Sequence, residues 1–469
     1  METGPGVIAA LRAEGGGWKT PLALFVGTLV VYAAFAYDRL GGPSEDNHFA
    51  YLAESFLAGS LEMQRPAPHG NDWATLEILR WEDGAELRGI WQDRRERVFR
   101  DLQGELHALD PARLRSADAS RVQYVSFPPM PAVLMLPAVA FKGIEASDVH
   151  LTLVLAALNV VLLYWLLTLL RLRGYTARSQ RDNLWLTLFF AFGSVHLWCS
   201  VLGQVWFTAL VVGITFTLLY VMAALDARHP FWAGVFLACA FATRTPLLFS
   251  VLFFAWMFFL PGGRLRADWG ARFWRDGLLF AAAPLAVGLA LMAMNHARFA
   301  SYTEFGHIYL AAGQIPRIKE YGLFHPIFIN RNLASMFALV PHWVGEAPWI
   351  LVSRHGLAIW FTMPALLLLF RSLPSTSRAE SSLRWAVGAT TLVIALPHVL
   401  YQNTGWEQFG YRFAMDYLVY LVLLLALGRR PIDRWFQAAV VFGVVVNAFG
   451  AVTFKRMPRF YTNSWFPYG

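Results

Sequence analysis

Residues 149–170 read VHLTLVLAALNVVLLYWLLTLL, and Arg171 and Arg173 follow at once. A run of this length without Lys, Arg, Asp or Glu exceeds the roughly 20 apolar residues that cross the hydrocarbon core of a bilayer. Its reading as a transmembrane helix sets the terms for the rest of the chain. Similar runs recur from residue 20 to residue 453. Of the 469 residues, 57% are hydrophobic and only 15% are charged, and the mean hydropathy is +0.44. That composition predicts an all-α polytopic membrane protein and excludes an ordinary soluble domain. A net charge of +8 would suit nucleic acid, yet the sequence holds no nucleic-acid motif, and positive residues beside apolar runs have a simpler origin in membrane orientation.

That orientation is read from four short arginine-rich connections: Arg171, Arg173, Arg178, Arg181; Arg264, Arg266, Arg272, Arg275; Arg371, Arg378, Arg384; and Arg429, Arg430, Arg434. They are expected on the cytoplasmic side, whereas the connections 199–203 and 402–411, which lack Lys and Arg, belong outside. With the N-terminus cytoplasmic and the C-terminus extracytoplasmic, the count comes to about eleven crossings of an inner membrane. They are expected at 20–37, 149–170, 184–199, 204–225, 231–244, 245–260, 277–295, 351–370, 385–401, 412–428 and 435–453. The first resembles a signal peptide, with Lys19 before it and Ala34-Phe35-Ala36 at its end, but its length predicts a retained anchor. The shorter run 128–142, which opens Pro128-Pro129-Met130-Pro131, is expected as an interfacial or re-entrant helix. Cys199 and Cys239 both lie in apolar runs and predict neither a disulfide framework nor a CxxC zinc site.

The chain thus reads as one multi-pass membrane domain, 1–469, with two long outer loops, 38–127 and 296–350, that are too long to be mere connections. The first loop is expected to open with an amphipathic helix capped by Ser44, its apolar face formed by Phe49, Leu52, Ala53, Phe56 and Leu57. Further on, Glu82-Asp83-Gly84 separates the alternating runs TLEILRW and AELRGIW, which predicts a small β-hairpin.

Chemistry is expected in these loops. Asp46 and Glu45 stand a few residues beyond the first crossing, where a carboxylate can serve as a base or simply complement a helix N-terminus. Arg244 lies in ATRTP between two apolar runs, where a charge is costly unless paired or functional. Arg298, Arg331 and Arg412 are further candidates for a phosphate. Arg412 precedes Asp416 by four residues, so an intrahelical ion pair is the plain alternative there. His296, Glu304 and His307 crowd together after a crossing, with Tyr302 and Tyr309, but their spacing matches no specific metal motif. A divalent metal stays possible without being indicated. His48, His196, Gln204 and Tyr411 complete the candidates for a substrate cavity.

Four segments, SEDNHFAYLAESFLAGSL (44–61), YVSFPPMPAVLMLPAVAF (124–141), NHARFASYTEFGH (295–307) and GWEQFGYRFAMDYLVYL (405–421), carry a family likeness. Set after a first crossing, they resemble the GT-C superfamily of membrane glycosyltransferases, and most of all bacterial relatives of the dolichyl-phosphate-mannose protein mannosyltransferases. The resemblance implies inverting transfer of a sugar from a polyprenyl-phosphate donor to an acceptor on the outer side. It also implies that a carboxylate just after the first span, here Asp46 or Glu45, acts as base, with Tyr411 and Arg412 near the phosphate. The commoner family pattern places an aromatic four residues after the acid, and Phe49 and Tyr51 straddle that spacing from Asp46, so the choice between the two acids stays open. The acceptor, whether protein, lipid or glycan, is not specified. Two other readings stay open on the residues alone: a secondary transporter or lipid flippase, against which the lack of an internal repeat speaks, and a non-catalytic membrane subunit using the Trp73, Trp81 and Trp91 region to bind a partner.

Overall fold

A computed structural model describes residues 17–310, 315–371, 374–375 and 377–465. The chain is mostly helical, and among the described residues five helices are long and apolar enough to cross a membrane: Asp148–Leu172, Gln204–Ala227, Ala271–Phe299, Arg378–Leu400 and Arg434–Thr453. These are compatible with a multi-pass membrane protein.

The other expected crossings are shorter or broken. Lys19–Phe35 has 17 residues and Pro230–Phe241 has 12. At 1.5 Å per residue, a 12-residue helix reaches about 18 Å, short of a hydrocarbon core of about 30 Å. Run 184–199 is divided between the helices Gln180–Ala191 and His196–Ser200, and run 412–428 between a 3₁₀ turn, Arg412–Asp416, and the helix Leu418–Ala426. The run 351–370 is not one helix: a strand ends at Ser353, and the short helix Ile359–Thr362 precedes a 3₁₀ stretch at Pro364–Phe370. Apolar content alone does not fix helix length where prolines and glycines interrupt it.

The four arginine clusters gather at one end of the bundle. Arg178 donates to the carbonyls of Leu425, Ala426 and Arg430, Arg371 lies 3.6 Å from Asp433, and Gly263 packs on Arg378. The segments expected outside meet at the other end.

There the first loop forms more than a hairpin. Strands β1 (Trp73–Arg80) and β2 (Glu86–Asp93) pair around the expected turn, and β3 (Val98–Asp101), β4 (Leu106–Ala108) and β5 (Asp118–Val125) extend them to a five-stranded antiparallel sheet ordered β4-β3-β2-β1-β5. β1 lies between β2 and the edge strand β5, with Trp73 opposite Val125 and Arg80 opposite Asp118. Alternation sends Ala74, Leu76 and Ile78 to one face, where they pack with Phe299, Tyr309 and Leu310 of the second outer loop. Trp73 faces the other way, against Phe49 and Leu52 of the helix His48–Leu57. Sequence alternation reveals the first two strands but not the rest of the sheet, since β5 joins β1 across the whole excursion.

The helix His48–Leu57 starts later than expected, and Ser44 does not cap it. Ser44 instead bonds Asp148 through both its amide (2.9 Å) and its hydroxyl (2.5 Å). Helix Met130–Lys142 is a 13-residue element that packs on it.

Candidate functional site

The site grows from the start of the helix Gln204–Ala224. Asp148 accepts from the Gln204 amide (2.8 Å), and the Asp46 carbonyl accepts from the Val205 amide (3.0 Å), so the loop after the first helix is hung on that helix start. Gly203 permits the approach: its φ is +64°, and a Cβ there would come within 2.7 Å of Val149. The side chain of Gln204 then donates to Asp46 Oδ2 (2.8 Å), while Asn71 donates to Asp46 Oδ1 (3.2 Å). His69 Nε2 lies 3.5 Å from Oδ1. Asp46 is 5% exposed, and burial pushes its carboxyl above the ordinary carboxylate range, against the opposing pull of His69 and Asn71.

The neighbouring charge that adds to this rise is Asp72. Nothing in its sequence context singles it out, since an acid between the Pro/Gly-rich stretch 66–70 and a strand is ordinary turn chemistry. Its φ of +58° fits that role. Yet Asp72 lines the large cavity described below, accepts from the Trp206 indole (2.9 Å), and is itself raised by burial while Arg412 and His69 draw it down. His48 packs against the backbone of the stretch that leads into Asp72. It is buried rather than on a helix surface, stacks on Trp73 at 3.7 Å between ring centroids, and lies 3.2 Å from the Asn71 carbonyl. Burial pushes His48 down to about 4, so it is a neutral brace at ordinary pH and does not reach the cavity.

Arg412 is the second pole. It is 5% exposed, lines the cavity and stands over the rings of Phe207 (5.3 Å), Phe413 (5.6 Å) and Trp206 (5.9 Å). Its guanidinium makes no hydrogen bond or ion pair among the described residues, and its Nε is fully enclosed. The expected pair with Asp416 does not form. Residues 412–416 are 3₁₀, at about three residues per turn, which rotates positions four apart off a common face. Asp416 instead takes Arg244 in a two-pronged pair, Nε to Oδ1 at 2.5 Å and Nη2 to Oδ2 at 2.7 Å, with His398 Nε2 2.9 Å from Oδ2.

These groups share a cavity of about 940 Å³. Apolar side chains from several elements line one part of it, among them Phe127, Pro128, Phe207, Pro246 and Phe413, and outer-loop and connecting residues line another, including Arg317, Phe324, Arg331, His355 and Asn403. Five Lys or Arg residues line it against two carboxylates, Asp72 and Glu407. Glu407 is matched by Lys455 (2.9 Å) and by Arg354, which together outweigh burial and hold its carboxyl below the ordinary range.

Of the residues singled out in sequence, Arg244, Arg331, Arg412 and His307 thus line one cavity, with Asp46 bonded to its wall through Asn71. His307 is pushed down to about 4 by burial. The others lie elsewhere. Glu45 is exposed, and its backbone carbonyl rather than its carboxylate meets His69 (3.0 Å). Arg298 is structural: its guanidinium donates to the carbonyl of Val125 (2.6 Å) and to Asn295 (2.8 Å), fastening β5 to the helix end. His296 stacks on Tyr302 at 4.5 Å, and Glu304 accepts from the Gly306 amide (2.7 Å). Tyr411 is fully buried, and His196 bonds Tyr32 (2.9 Å). His296, Glu304 and His307 do not form a metal-ligand group. Among the described residues the one set with such geometry is Asp101, Glu105 and His107, at the β3–β4 hairpin, outside the cavity lining.

No family model, curated protein or solved structure matches this chain.

Proposed function

We propose that this chain is an inverting glycosyltransferase that moves a sugar from a polyprenyl-phosphate donor to an acceptor hydroxyl on the extracytoplasmic side of the membrane. One observation carries the reading: a buried arginine, Arg412, with no hydrogen-bond or ion-pair partner among the described residues, in a cavity that Asp72 and the apolar side chains of Phe127, Pro128, Phe207 and Phe413 also line. A buried guanidinium that no carboxylate pairs directly is costly unless an anion completes it. A lipid phosphate supplies the anion together with an apolar tail suited to such a wall.

The chemistry follows from the same groups. The acceptor hydroxyl loses its proton to the Asp46–Asp72 pair as its oxygen bonds the sugar's anomeric carbon. The bond from that carbon to the phosphate oxygen breaks on the opposite face, which inverts the centre. The departing polyprenyl phosphate keeps the electron pair, and Arg412 meets the charge that develops there. Arg244, neutralised by Asp416, fixes the wall beside it. Burial raises both Asp46 and Asp72, which suits a base stronger than an ordinary surface carboxylate. Asp46 is the member that the family resemblance names, and Asp72 is the member on the cavity wall.

The test is transfer of labelled sugar from a polyprenyl-phosphate donor in membranes carrying the chain. Arg412→Gln and Asp72→Asn should each abolish it in protein that still folds. Unchanged transfer in both variants would sink the assignment.

A further inference from the structure

The cavity has a second cationic end that the transfer step does not use. Arg331 and Arg317 converge on one backbone carbonyl, that of Gln402: Arg331 Nη2 donates to it, and Arg317 Nη1 lies 3.4 Å away. Both line the cavity, with His355 beside them. Neither arginine has a carboxylate within ion-pair distance among the described residues, and Arg331 Nε is enclosed without a partner. Each faces the other's like charge, and burial together with Arg317 draws Arg331 down to about 10. A lone carbonyl offers part of a charge to two guanidiniums, and the enclosed Arg331 is the member it leaves undersatisfied, while Arg317 stays open to solvent.

This group is distinct from the Arg412 end. The charged neighbours of Arg412 are Arg244 and Asp72, whereas Arg331 has Arg317. The elements differ too. Arg412 is enclosed by Trp206 and Phe207 of a long apolar helix, while Arg317 and Arg331 lie on the short helices Ile315–Tyr321 and Ile329–Phe337 of the second outer loop. An anion carried on a lipid tail fits the first end, and an anion on a water-facing molecule fits the second. We infer that Arg317 and Arg331 form a second oxyanion subsite, which takes an acceptor bearing a phosphate monoester. Two adjacent guanidiniums favour a dianion with three acceptor oxygens over a single carboxylate, because each fork can then bond separate oxygens. The word acceptor rests on the glycosyltransferase reading; the subsite itself does not.

The experiment is binding to the purified full chain in nanodiscs, with four probes: undecaprenyl phosphate, glucose 6-phosphate, glucuronate and glucose. Glucose 6-phosphate should bind equally well with undecaprenyl phosphate present or absent, and more tightly than glucuronate or glucose. Arg317→Gln, an exposed position that should not disturb folding, should weaken glucose 6-phosphate at least tenfold, and Arg331→Lys should weaken it less than Arg331→Gln. Both should leave undecaprenyl phosphate affinity unchanged. Displacement of glucose 6-phosphate by undecaprenyl phosphate, equal binding of glucuronate, or indifference to Arg317→Gln would overturn the subsite. Glucose 6-phosphate binding that depends on Arg317 in a chain that ignores undecaprenyl phosphate would support the subsite while overturning the donor assignment.

Discussion

Replacing Arg412 with methionine should make the protein more stable and inactive at once. The side chain is 5% exposed and has no hydrogen-bond or ion-pair partner among the described residues, so in the folded state its charge is met by three aromatic faces at 5.3–5.9 Å and by the longer-range attraction of Asp72. Such contacts return roughly 0.5–2 kcal/mol each, against a desolvation penalty of several kcal/mol for a buried ion. Methionine keeps most of the volume and the contact with the rings while removing the charge. Replacing buried ionic groups with apolar residues of similar size is neutral to stabilising, by about 1–4 kcal/mol, and about 1–2 kcal/mol is expected here because the rings compensate part of the cost. Loss of the charge that meets the leaving phosphate should cost at least about 10² in turnover, the effect of losing one preorganised donor. The assay pairs thermal unfolding in detergent with sugar transfer. A lower melting temperature in the variant, with transfer intact, would refute the argument, because it would make Arg412 a structural residue.

Three further outcomes follow from the same geometry. Asp416→Asn strands Arg244 and should destabilise the protein by about 3–5 kcal/mol, and Arg244→Met in the same chain should recover part of that loss; thermal melts of the two variants decide it. Asp46→Asn and Asp72→Asn should each lower transfer by at least about 10², and because both carboxyls are raised by burial, the acid limb of the wild-type pH profile should fall above the ordinary carboxylate range; a limb near pH 4 would contradict it. His48 and His307 are both depressed to about 4 by burial. Below an unfolded value of about 6.5 the unfolded chain takes up protons that the folded chain refuses, so stability should drop as pH falls from about 6.5 toward 4. The span of each shift corresponds to roughly 3 kcal/mol. His48→Gln should flatten that loss, as melts across this pH range would register.

The helical character, the hairpin at residues 82–84 and the gathering of the arginine clusters were legible because each rests on local pattern: apolar length, strict alternation, or charge beside a run. The five-stranded sheet was not, because the pairing of β1 with β5 joins residues such as Trp73 and Val125 across the loop. Ser44 shows the same limit. Its type and position suit a helix cap, but Asp148, about a hundred residues on, takes both of its donors. The Arg412–Asp416 spacing misled because the residues between are 3₁₀, a geometry that spacing cannot announce. Charges in costly places proved the better guide: Arg244 and Arg412 both reach the cavity. Arg298, equally conspicuous in sequence, is fully occupied by backbone and amide acceptors. Asp72 carried no signal beyond a turn-forming residue type, and only the fold brings it to Trp206 and Arg412.

The most direct measurement is transfer of radiolabelled sugar from a polyprenyl-phosphate donor by the purified full chain in nanodiscs, with Arg412→Met as the paired control. Released polyprenyl phosphate and a product of inverted anomeric configuration, both absent in the variant, are the predicted result. Folded wild-type protein that consumes no donor across the common sugars, or that moves the donor across the bilayer unchanged, would contradict the account.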